Sequence, residues 1–248
     1  MQSILQKSVG IGPKPVHPEN LDGRVAVVVG GALGIGFEVS RALANAGARI
    51  VMVNRKEDQG SDAIATIKKE SPGAEVSWEK CDMGDLGQVR DIFGSLRESL
   101  PRLDFLVLSA GINANQYGED ADGIDRHFGV NYLGQYYVCN QLWPLLRETS
   151  KTDGPSPRVV FLSSEQHRLA PSDTKFASLE EINNPSLGPT QLYSRSKLAM
   201  ILVAKCGLAK KVIKENEIIA VSVHPGAVSL DFPPWAPHRL RARTRKSC

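Results

Sequence analysis

Apolar runs alternate with stretches of helical periodicity along most of this chain, and that alternation limits the fold more than any single residue does. Residues 24–29 form a β-branched run that ends at Gly30. The run is apolar on both faces, as in a strand buried between two layers. Residues 35–46 then place Ile35, Val39, Leu43 and Ala46 at the spacing of one helix face and stop at Gly47. The cycle repeats, with strands predicted over 49–53, 75–80, 103–108, 158–162 and 218–223. Helices are predicted over 62–70, 88–96, 122–146 (bent near Pro144) and 193–213. Residues 170–190 are rich in proline and polar residues and read as a loop with one short turn. Apolar strands separated by helices predict an α/β fold, a doubly wound parallel sheet with helices on both faces.

The chain has 248 residues with 42% hydrophobic composition, enough for one sizeable core. Residues 1–22 are an irregular lead-in, 23–230 the domain, with an insertion at about 165–192, and 231–248 a basic, proline-containing tail. The net charge of +3 implies neither a nucleic-acid nor a membrane partner. Cys81, Cys139, Cys206 and Cys248 are too far apart for a zinc knuckle or a disulfide scaffold, so no metal site is expected and a reducing, cytoplasmic setting is. No run approaches the ~20 apolar residues of a membrane span.

Gly30, Gly31, Gly34 and Gly36 sit between the first strand and the first helix. Glycine there permits a tight turn and close approach of backbone to a pyrophosphate, which the helix N-terminus then favours. In dinucleotide folds a carboxylate at the end of the second strand binds the ribose 2′-hydroxyl of NAD. Here that place reads Asn54-Arg55-Lys56, and a guanidinium matches a 2′-phosphate instead. NADP(H) is therefore favoured over NAD(H), with Glu57 or Asp58 left as the residues that would serve NAD.

Tyr193 and Lys197 stand at i and i+4, on one face if the segment is helical. A phenol is a poor base at neutral pH, and a nearby ammonium favours its ionised form. Such a pair can pass a proton to or from a substrate oxygen.

Taken together, from Gly23 to Val228, these segments resemble the short-chain dehydrogenase/reductase superfamily. Gly30-x-x-x-Gly34-x-Gly36 resembles its cofactor loop, Cys81-Asp82-Met83 its adenine-binding segment and Ser109-Ala110-Gly111 its turn after the fourth strand. Asn131 in Phe128-Gly129-Val130-Asn131, Ser163-Ser164, Tyr193, Lys197 and Pro225-Gly226 follow in the family's order. Ser-Ser-x-x-His, ending in His167, and the long insertion are similar to the retinol-dehydrogenase-like branch, although His167 itself is expected to make only a local hydrogen bond. Val29, Leu33, Ser109 and Leu230 depart from the family's usual side chains without removing a proton-transfer residue.

The resemblance implies a Rossmann fold and an NADP-dependent hydride transfer between nicotinamide and a carbonyl or alcohol substrate. Ser164, Tyr193, Lys197 and Asn131 would be catalytic. Contacts to the cofactor are implied for Gly30, Leu33, Gly34, Ile35, Gly36, Asn54, Arg55, Asp82, Met83, Ser109, Ala110, Gly111, Tyr193, Lys197, Pro225, Gly226 and Val228. Relatives continue past the Pro-Gly turn with further helices and a seventh strand, so the last strand is expected to be missing here. Two readings follow: an active oxidoreductase, able to form a homo-oligomer, or a shortened, catalytically weak Rossmann protein that binds cofactor or a partner. A methyltransferase is disfavoured by the ordered Asn131, Ser164, Tyr193 and Lys197.

Overall fold

The computed structural model describes residues 18–214 and 217–226. Within them the six expected strands form one parallel sheet: β1 (Val25–Val29), β2 (Arg49–Asn54), β3 (Val76–Lys80), β4 (Phe105–Leu108), β5 (Arg158–Leu162) and β6 (Ile219–Val223), in the order β3-β2-β1-β4-β5-β6. The order reverses at β1, so a crevice opens outside the carboxyl ends of β1 and β4. The helices that connect the strands are α1 (Gly34–Asn45), α2 (Glu57–Glu70), α3 (Leu86–Ser99), α4 (Gly134–Ser150) and α5 (Pro189–Leu202).

Side chains alternate across β1, and each half enters a different core. Val25, Val27 and Val29 pack with Val89, Phe93, Leu142, Leu146, Phe161 and Met200, beneath α3, α4 and α5. Ala26 and Val28 pack with Phe37, Ile50, Met52, Ala63 and Ile67, beneath α1 and α2. Two covered faces explain why the strand sequences are continuously apolar. Phe93, fully buried, is a single side chain whose truncation to alanine would cost about 3–5 kcal/mol.

The helix predicted over 62–70 begins five residues earlier, at Glu57, the one predicted over 88–96 spans Leu86–Ser99, and two further helical expectations change more. The stretch predicted over 122–146 starts at Arg126, where the Asp125 carboxylate caps Phe128, and passes through a π-helical turn, Gly129–Leu133, before α4. Residues 120–125 instead fold around the Asp120 carboxylate, which accepts from Asp122 and Ile124. The helix predicted from Tyr193 begins earlier, at Pro189, a residue whose missing N–H costs nothing in a first turn, and becomes π-helical over Val203–Val212. The insertion contains a 3₁₀ segment, Glu165–Leu169, and one helical turn, Leu179–Ile182. Among the described residues no helix is long and apolar enough to cross a membrane.

Candidate active site

Five of the predicted segments meet outside the carboxyl ends of the strands. The turn after β1 is shaped by what its glycines leave out. A methyl on Gly36 would stand 2.2 Å from the Gly30 carbonyl oxygen and 2.5 Å from Ser109 Oγ. Gly30 has φ +80°, and a methyl there would stand 2.6 Å from the Ala110 nitrogen. The turn thus packs directly against the Ser109-Ala110-Gly111 segment, and Ser109 Oγ donates to the Val29 carbonyl across it. Leu33 caps α1 without a side-chain hydrogen bond, and no acidic residue occupies the first turn. The first N–H groups of such a helix lack intrahelical partners and favour an anion. This surface fits the pyrophosphate of a dinucleotide.

At the end of β2 the Asn54 side chain is held by its own neighbours, accepting from Trp78 Nε1 at 2.5 Å and donating to the Lys56 carbonyl at 2.9 Å. Arg55 is 65% exposed and meets Asp82 at 3.3 Å. Glu57 and Asp58 occupy the first turn of α2, where carboxylates suit the positive end of the helix dipole. Asp82 accepts from the Gly84 N–H, and Met83 is buried beside it.

The proton-transfer candidates lie on the other side of β4. Ser164 follows β5 and accepts from the Gln166 N–H. Burial raises the Tyr193 pKa, and the Ser164 side chain pulls the other way. The downward pull expected of Lys197 is not among these influences. Lys197 Nζ lies 5.6 Å from the centre of the Tyr193 ring and donates to the Leu162 carbonyl at 2.9 Å. Burial lowers the pKa of this lysine to about 8. Asn131, in the π-helical turn, is fully buried. Its Oδ1 accepts from the Ile112 N–H at 2.7 Å, and its Nδ2 donates to the Ile112 carbonyl at 2.9 Å and to Ser196 Oγ at 3.0 Å. His167 makes the expected local hydrogen bond, at 2.8 Å from the Ser164 carbonyl oxygen. Pro225 and Gly226 follow β6, and Val228 lies outside the described residues, as do 1–17 and 227–248.

Of three supporting polar side chains, Ser196 and Gln135 were not singled out in the sequence, and Ser163 was named only beside Ser164. Ser196 Oγ donates to the Tyr193 carbonyl at 2.6 Å while accepting from Asn131. Ser163 Oγ donates to the Lys197 carbonyl at 2.8 Å. Gln135 Nε2 donates to the carbonyls of Ala110 and Asn131. The one available signal was helical: Asn131, Gln135, Val138 and Leu142 form a single stripe, and two amides on a stripe that ends in aliphatic residues point to buried hydrogen bonding.

The sequence pattern of the family described as short chain dehydrogenase matches residues 24–173. The chain is 36% identical over 208 residues to mouse (Mus musculus) retinol dehydrogenase 11, covering 84% of this chain and 62% of that protein. It is 33% identical over 222 residues to the short chain dehydrogenase/reductase dpchH of Colletotrichum higginsianum, covering 84% of this chain and 55% of that protein. The chain spans about half the length of dpchH and of the bli-4 protein of Neurospora crassa. Among solved structures, the Pseudomonas aeruginosa RhlG/NADP active-site complex superposes with a TM-score of 0.66 at 24% identity, covering 86% of this chain and 77% of that one, a likeness of fold.

Proposed function

This chain belongs to the short chain dehydrogenase family of oxidoreductases, and on that premise we propose that it is NADP-dependent and acts on a carbonyl or alcohol through Ser164, Tyr193 and Lys197. The observation that carries the reading is convergence. The loop after β5 brings the Ser164 hydroxyl near enough to favour the ionised form of Tyr193, and the Lys197 ammonium lies over the same ring.

When bound, the nicotinamide supplies or accepts the hydride. The residues handle the proton. In reduction, Ser164 donates a hydrogen bond to the substrate oxygen, where negative charge grows, and Tyr193 gives that oxygen its proton. A phenol whose pKa is raised by burial enters this step protonated. The Lys197 ammonium lies over the Tyr193 ring, 5.6 Å from its centre. Asn131 holds Ile112 and Ser196 in place around the pair.

The preference for NADP rests on Arg55. Its ion pair with Asp82 is solvent-exposed, of a kind that contributes about 0–1 kcal/mol, so the guanidinium can exchange partners for a 2′-phosphate. Glu57 and Asp58, the residues that would favour NAD, already serve the α2 N-terminus. Cys81, Cys139 and Cys206 are free thiols, which supports a cytoplasmic setting.

The test is direct. The purified chain should bind NADPH more tightly than NADH, and should oxidise NADPH when members of a panel of aldehydes and ketones are added. Binding without oxidation across the panel reduces the chain to a cofactor-binding protein, and absence of both overturns the reading.

A further inference from the structure

Gln135 lies on the first turn of α4 and is completely buried. Its Nε2 group stands 2.8 Å from the Ala110 carbonyl oxygen, 2.7 Å from that of Asn131 and 3.5 Å from that of Val130. These acceptors come from two segments that the active site needs together. Ala110 is in the turn packed against the β1 glycine loop, and Asn131 is in the π-helical turn that holds Ile112 and Ser196. Between the two segments, a methyl on Gly111 would stand 3.4 Å from Asn131 Oδ1 and 3.5 Å from Lys197 Nζ.

The Gln135 Oε1 atom is buried without a hydrogen-bond partner among the described residues. The three carbonyl oxygens around Nε2 decide which way the amide points, because a flipped amide would set Oε1 against them. The unpaired Oε1 separates this residue from the packing positions that follow it, Val138, Cys139 and Leu142. A side chain present only to fill space would leave no orphan acceptor.

We infer that Gln135 is a positioning residue for the proposed reaction: its amide ties the Ala110 carbonyl, in the turn beside the glycine loop, to the Asn131 carbonyl and so holds that turn in register with Tyr193 and Lys197. This rests on the oxidoreductase reading above. Gln135 acts through Ala110 and Asn131 and not on the reacting atoms. Removing its donors should lower turnover while the substrate Michaelis constant, set by other residues, stays nearly the same.

Two variants of the full chain test it. Gln135→Met keeps the length and removes both donors. Gln135→Glu keeps the shape and restores one donor only when its carboxyl is protonated. Gln135→Met should lose on the order of ten- to a hundredfold in kcat, the scale on which displaced reacting groups lose rate. Its backbone amides around Ile112 should exchange with solvent deuterium faster than those of the wild type. For Gln135→Glu the ratio of variant to wild-type kcat should rise as pH falls, a signature that a packing role would not produce. Wild-type kcat and unchanged exchange at Ile112 in Gln135→Met overturn the inference, as does a pH-independent ratio in Gln135→Glu. If neither variant folds, the role is structural and the inference is overturned. If the wild-type chain binds NADPH but reduces no carbonyl, the reaction assignment fails by itself. The tie is then decided by Ile112 exchange and by the NADPH dissociation constant of Gln135→Met, which should rise if Ala110 is freed.

Discussion

The two halves of the site are built on opposite terms. The turn after β1 is shaped by absent side chains: its glycines bring backbone against backbone, and α1 offers a helix N-terminus with no side-chain cap. The region around α5 is shaped by polar side chains packed out of solvent, with Asn131, Gln135, Ser163, Ser196 and Lys197 all buried and hydrogen-bonded. The first half holds a ligand by space and dipole, so added volume damages it. On the proposed reading the second half would move a proton along groups fixed by hydrogen bonds, so removed atoms would damage it. The different substitutions to which each is sensitive should therefore separate binding from turnover.

The largest effect is expected at the proton donor. Tyr193→Phe should lower carbonyl-dependent NADPH oxidation by roughly a thousandfold or more, within the range that general acid catalysis supplies, while NADPH titration stays close to wild type. Survival of turnover would break the division at its centre. In the other half, Gly36→Ala would place a methyl 2.2 Å from the Gly30 carbonyl oxygen. It should abolish measurable NADPH binding and cost about 1–3 kcal/mol of stability, read in a thermal melt. Arg55→Ala should weaken NADPH by about tenfold and leave NADH unchanged, since only a 2′-phosphate is lost from the contact. Equal weakening of both cofactors would remove Arg55 from the specificity role.

The smallest effect concerns pH. Lys197 titrates near 8 in the fold against an ordinary value of 10.5, so it is a group whose charged form the fold disfavours. Between these values the unfolded chain binds more protons, and stability from this group rises with pH. Below the folded value the penalty is fully present. Lys197→Met should therefore flatten the rise in thermal midpoint between about pH 8 and pH 10, without lowering the midpoint at neutral pH by more than a lost hydrogen bond to Leu162 would, ~1 kcal/mol.

Much of this was legible in the residues because it is local. Strand β5 runs over Arg158–Leu162, the bounds that its β-branched run predicts, and α1 starts within a residue of the expected position. Tyr193 and Lys197 share a helix face because four residues nearly complete a turn. Helix ends were read less well. The predicted 122–146 helix included residues 122–125 because periodicity ignores carboxylates, and Asp120 and Asp125 organise that loop by accepting backbone N–H groups.

By itself the sequence determined the class of fold, the glycine turn and the order in which the candidate proton-transfer residues occur, since alternation, spacing and backbone freedom belong to short stretches of chain. It could not determine partners far apart in the chain. Tertiary structure alone decided that β1 lies between β2 and β4, which opens the crevice. It also decided that Lys197 donates to Leu162, that Ser163 holds the Lys197 carbonyl, and that Gln135 joins Ala110 to Asn131. A buried donor takes whichever acceptor the packed sheet brings within hydrogen-bonding distance, and that is fixed only when strands and helices have assembled.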